Sequence, residues 1–198
     1  MLINTSRLIG CPVLSLHVGG RVATVTDIII DPDSLKILAC RVEGPLVGKE
    51  SGDILPMDSV REFSHIGMIV DSTDEFVESD TIIHIRDVLA LNFNLVGLKV
   101  ETKKGTKLGK VSDSTINPEN WRIQQLIVQR PLIKSFIDPE LIISRNQIFE
   151  VDDYKVVIKD SEAKVKEQAQ VEFTPNFINP FREPDFAPDS SSKEITHP

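Results

Sequence analysis

Two cysteines in 198 residues, Cys11 and Cys40, are too few for a disulfide framework and match no CxxC metal or redox motif. Long apolar runs are also missing; none reaches the roughly 18 residues that a bilayer-crossing helix needs. The opening MLINTSRLIG has no basic stretch leading into an apolar one, so a secretory signal is not expected. A cytoplasmic protein is the expectation. Aromatic residues make up only 6% of the chain, which leaves Ile and Val to build the core and leans the reading towards strands. His17, His65, His84 and His197 show no ligand spacing, and Ser51-Gly52-Asp53 lacks the Gly-x-Ser-x-Gly elbow that exposes a serine nucleophile. No catalytic, cofactor-binding or metal-binding residue emerges, and the chain reads as non-enzymatic.

Positive charge is scarce overall and unevenly spread. The net charge is −8, with 7 basic and 14 acidic residues in 1–87, 11 and 9 in 88–161, and 4 and 7 in 162–198. An acidic chain repels phosphate backbones, which disfavours general nucleic-acid binding; only the middle third escapes that argument.

What the chain does have is an internal repeat. Leu8-Ile9-Gly10 returns as Leu95-Val96-Gly97, an offset of 87. The offset then becomes 86, with Val25 on Val111, Asp27 on Asp113, Asp31-Pro32 on Asn117-Pro118 and Val42 on Val128. It ends at 88, with Ile54-Leu55 on Ile142-Ile143 and Val60 on Ile148. Loops absorb such drift, whereas a slip inside a strand would turn its apolar face outward.

Each copy follows one grammar. A short strand enters a glycine turn, a long strand follows, and an Asp-Pro or Asn-Pro turn leads to a third strand. In that third strand Leu35 and Ile37 share one parity while Cys40 and Val42 share the other, and Trp121, Ile123, Leu126 and Val128 repeat the switch. A parity switch within a strand predicts a β-bulge near Leu38-Ala39 and Gln124-Gln125. Five to six short strands per copy predict an all-β fold of two tandem small barrels, residues 1–80 and 81–161. Thr81–Leu91 suits a strand or a helix. Residues 162–198 hold five prolines after Thr174 and no glycine there, a composition expected to form a disordered tail.

Leu8-Ile9-Gly10-Cys11-Pro12-Val13, Val25-Thr26-Asp27 and Asp31-Pro32, with Leu95-Val96-Gly97, Gly109-Lys110-Val111-Ser112-Asp113 and Asn117-Pro118, resemble the PRC-barrel family. The first copy departs at Ala23, where the pattern has glycine, and the second at Asn117, where it has aspartate. The family occurs in the cytoplasmic part of the photosynthetic reaction-centre H subunit and at the end of a 16S rRNA processing factor. The resemblance implies a binding and assembly module and carries over no catalytic or cofactor residue.

Candidate contacts lie where the copies differ. Ile28 and Ile29 align with Ser114 and Thr115, so the first copy carries extra apolar surface, assigned to an inter-barrel or homodimer contact. The turn Lys99–Lys110 holds Lys103, Lys104 and Lys107 among five lysines, without interleaved aromatics that would stack on bases. Phe177, Phe181 and Phe186 recur through the tail and suit docking on a partner or on the barrels themselves. Asp27, Asp31 and Asp33 are accounted for by turn chemistry, and Cys11 and Cys40 align with leucines as small core residues. The expected function is a protein-binding assembly adaptor with an unidentified partner and no cofactor. The alternative is an RNA- or ribosome-associated maturation factor that contacts phosphate through Lys99–Lys110.

Overall fold

The computed structural model describes residues 2–48, 52–130 and 139–159. The first half contains β1 (Ile3–Asn4), β2 (Pro12–Ser15), β3 (Gly20–Asp31), β4 (Lys36–Glu43), β5 (Ile54–Pro56), β6 (Glu62–Ser64) and β7 (Gly67–Val70). Helix α1 (Ile83–Leu91) leads into the second half, with β8 (Lys99–Thr102), β9 (Lys107–Asn117), β10 (Arg122–Gln129), β11 (Glu140–Ser144), β12 (Ile148–Val151) and β13 (Lys155–Ile158). The all-β class holds.

Both halves are wired alike. In the first, β2, β3, β4 and β5 pair antiparallel in sequence order, β7 runs parallel to β2, and β6 flanks β7. In the second, β8, β9, β10 and β11 repeat that order, β13 runs parallel to β8, and β12 flanks β13. The repeat extends to the irregularities. Leu38 is the extra residue between β3 and β4, and Gln124 is the extra residue between β9 and β10, at the predicted bulges. Thr26 and Ser112 form a second matched pair, and Val22 and Leu108 a third. An odd residue left out of the ladder flips the following side chains to the other face, which explains the parity switch.

The Asp-Pro and Asn-Pro turns also match in detail. Asp31 Oδ1 accepts the Asp33 N–H at 3.1 Å, and Asn117 Oδ1 accepts the Glu119 N–H at 3.1 Å. Both turns end on a left-handed residue that is not glycine, Leu35 (φ 50°) and Trp121 (φ 56°). Such a conformation costs on the order of 1–2 kcal/mol, offset here by burying both side chains.

The halves join through those same residues. The Ile37 N–H donates to the Trp121 carbonyl at 2.8 Å, and the Ile123 N–H donates to the Leu35 carbonyl at 2.9 Å. Lys36 and Arg122 face each other as the one register pair between β4 and β10. Residue for residue, each bond maps onto the other when the copies are exchanged, which is the self-complementary geometry of a two-fold dimer built within one chain. The result is one continuous sheet running from β12 to β6, whose ladder stays open and draws no boundary between two closed barrels. One apolar core spans both halves, from Leu8, Val13, Ile37 and Leu55 to Leu95, Ile123, Leu126 and Ile143.

Helix α1 resolves the ambiguity at Thr81–Leu91. Ile82, Ile85, Val88 and Leu89 recur at helical spacing, and Asn92 closes the helix in the left-handed region (φ 49°). The helix packs on the outer face of the first half, over Ile29, Ala39 and Ile54. The surface that the sequence reading gave to a second barrel or a dimer partner is therefore covered by the chain's own helix at Ile29. Ile28 points the other way and packs against the main core. In the second half Ile142, the counterpart of Ile54, is 56% exposed.

The N-terminal stretch is held by the second half. Asn4 pairs with Thr115, and the Asp113 carboxylate accepts from Thr5 Oγ1 at 2.8 Å, Ser6 Oγ at 2.6 Å, Asn4 Nδ2 at 3.1 Å and two backbone N–H groups. Asp27, at the same place in the first half, caps only the Ile28 N–H.

Candidate protein-contact face

The lysine turn and the edge strand β12 meet at one end of the sheet. Lys99, Lys103, Lys104, Lys107 and Lys110 are all exposed on β8, β9 and the turn between them. Because β13 runs parallel to β8 and β12 flanks β13, Phe149 on β12 arrives beneath this turn. The Lys103 ammonium sits 3.2 Å from the Phe149 ring centroid, a cation–π contact worth about 0.5–1 kcal/mol at an exposed site. Phe149 nonetheless remains 54% exposed, and Tyr154, in the turn between β12 and β13, is 80% exposed. The Lys99 N–H donates to the Tyr154 carbonyl at 3.3 Å, so the backbone of that turn is fixed while its ring faces solvent.

Acidic groups accompany the lysines. Lys155 donates to Glu101 at 2.6 Å, and this hydrogen bond and charge, with Asp152 and Glu150 nearby, hold the Lys155 ammonium above its ordinary pKa. The face therefore has mixed charge around two exposed aromatic rings.

Sequence reasoning missed Phe149 because it lies far along the chain from the lysines. A signal for it existed: its counterpart is Arg61, which pairs with Asp71 at 2.7 Å. A phenylalanine replacing an ion-paired arginine on an edge strand is a difference between copies that packing does not require. Of the other expected contacts, Lys107 shares this end of the sheet, whereas Ile28 and Ile29 lie on β3 away from it. Phe177, Phe181 and Phe186 lie outside the described residues.

The two thiols sit within the fold. Burial is the main influence that raises the pKa of each, and for Cys40 the charges of Cys11 and Asp27 add to it. A hydrogen bond from the Met68 backbone partly opposes the rise at Cys11. Among the described residues no three His, Cys, Asp or Glu side chains group as metal ligands, and no helix is long and apolar enough to cross a membrane.

The described residues thus form an open, mostly β sheet whose edge strand carries an exposed aromatic ring. Residues 2–77 match the PRC-barrel domain family. The second half repeats the strand wiring and the bulges of the first. A search of curated proteins finds no match to the chain.

Proposed function

We propose that this protein is a non-enzymatic assembly adaptor that binds another protein through the end of the sheet carrying Phe149, Tyr154 and the lysine turn. The supporting observation is the exposure of both rings on and beside an edge strand. Aromatic side chains anchor protein interfaces, and a strand at a sheet edge offers backbone groups to an incoming segment. A PRC-barrel domain suggests an interaction or assembly module, in keeping with this reading.

The RNA- or ribosome-associated alternative gains the aromatic ring that the sequence reading lacked, since Phe149 now lies under Lys103. The acidic groups Glu101, Glu150 and Asp152, gathered around Lys155 on the same edge of the sheet, weigh against it, because they would repel a phosphate backbone laid along that edge. Partner capture by the full chain in rising salt, with and without ribonuclease, separates the two. A protein partner kept after both treatments supports the adaptor; binding that collapses with salt and ribonuclease supports RNA.

A further inference from the structure

The two-fold relation between the halves is broken at one place that matters for binding. Arg145, in the turn after β11, reaches across the junction and donates Nη2 to the Ser34 carbonyl at 2.5 Å and Nη1 to the Ile123 carbonyl at 3.4 Å. Burial and the nearby Arg122 charge hold its guanidinium below its ordinary pKa, yet the seat accepts it. In the first half the position of Arg145 is taken by Met57, which turns inward so that the Cys40 thiol meets its sulfur at 3.5 Å.

The counterpart seat is an open groove of about 450 Å³, lined by Lys36, Met57, Asp58, Glu119, Asn120 and Arg122 with Trp121 at its wall. Asn120, which lines it, is the repeat counterpart of Ser34, whose carbonyl receives Arg145 in the filled seat. Lys36 and Arg122 exchange places between the two seats, and Glu119 replaces Asp33, so those charges keep their signs. Asn146, however, is replaced by Asp58. The groove thus has one more carboxylate than a seat that already holds an arginine. Lys36 takes Oδ1 of Asp58 at 3.1 Å, which leaves Oδ2 for a second donor.

We propose that this groove binds an arginine side chain presented by a protein partner, its guanidinium donating to the carboxylates of Asp58 and Glu119 and to the Asn120 carbonyl. The inference rests on the protein-binding reading and names one feature of the partner. A planar guanidinium suits these acceptors better than an ammonium, because its donors are fixed in a fork.

Trp121 is the chain's one tryptophan and reports on the groove by its fluorescence. The full chain is titrated with acetyl-Gly-Arg-Gly-amide and with the same peptide carrying lysine or the uncharged isostere citrulline. The arginine peptide is expected to give a saturable change, about tenfold tighter than either substitute, as charge-assisted forked pairing allows. The exposed double variant Asp58→Asn/Glu119→Gln, which keeps the shape of both side chains, is expected to lose that preference. No saturable change, equal response to the three peptides, or an unaltered response in the double variant would overturn the proposal. Any of these leaves partner capture through Phe149 and Tyr154 standing, so the two readings fail separately.

Discussion

Phe63 and Trp121 meet edge to face across the junction of the two halves, with ring centroids 5.9 Å apart and planes at 80°. One ring comes from an edge strand of the first half and the other from the turn that starts β10. The contact ties the far side of one copy to the centre of the other. Together with the paired Ile37–Trp121 and Ile123–Leu35 bonds, it makes the halves one packing unit.

That unit should unfold in one cooperative step, since the main core draws its residues from both halves. Trp121→Ala removes the ring and leaves the left-handed backbone position unrelieved, with an expected cost of about 3–5 kcal/mol. Urea unfolding followed by circular dichroism checks both points. Two separated transitions in the wild-type protein would contradict the single core.

Ile29→Lys places an ammonium under α1, among Ala39, Ile54, Ile85 and Val88. The expected loss is about 2–4 kcal/mol, with the helix undocked and the oligomeric state unchanged. Ile142→Lys on the second half should cost less than about 0.5 kcal/mol, because that side chain is already exposed. Denaturation and solution scattering on both variants test the difference. A change of oligomeric state in Ile29→Lys alone would return this face to a partner.

Asp113 gives the fold an acid-sensitive clasp. Burial alone would raise its carboxyl pKa, but hydrogen bonds from Ser6 and Thr5 and from the backbone of Ser114 and Ser6 outweigh it and leave the pKa below the ordinary value. A carboxyl lowered on folding stabilises the protein above its unfolded pKa, and that contribution fades as pH falls through the folded one. Asp113→Ala should therefore cost about 1–3 kcal/mol at neutral pH. Its gap from wild type should shrink in acid below the ordinary aspartate range. Melting curves across pH read this directly; a gap that stays constant with pH would contradict the clasp.

Cys11 and Cys40 are held as thiols by burial. Neither is expected to react with a thiol-specific reagent at neutral pH in the native protein, while both react once it is unfolded, because the thiolate is the nucleophile. Fast modification of Cys40 in the folded state would be inconsistent with its place in the core.

The repeat, the all-β class and the two strand-three bulges were legible in the sequence because period-2 patterning fixes which face each residue takes. Helix α1 was not. Ile82-Ile83 reads as strand locally, and only packing on Ile29 and Ile54 selects the helix. The continuity of the sheet was also hidden, since the backbone bonds that carry it at Ile37 and Ile123 leave no mark in side-chain pattern. The lysine turn was visible as a charge run, whereas its ring, Phe149, is brought in by a parallel pairing between distant strands.

The central claim is that Phe149 and Tyr154 form the contact with a protein partner. The direct test is quantitative capture by the full chain against the double variant Phe149→Ser/Tyr154→Ser, in high salt after ribonuclease treatment. Both rings are exposed, so the variant should fold as the wild type does. The account predicts one protein retained by the wild type at defined stoichiometry and lost from the variant. Retention by both would contradict it.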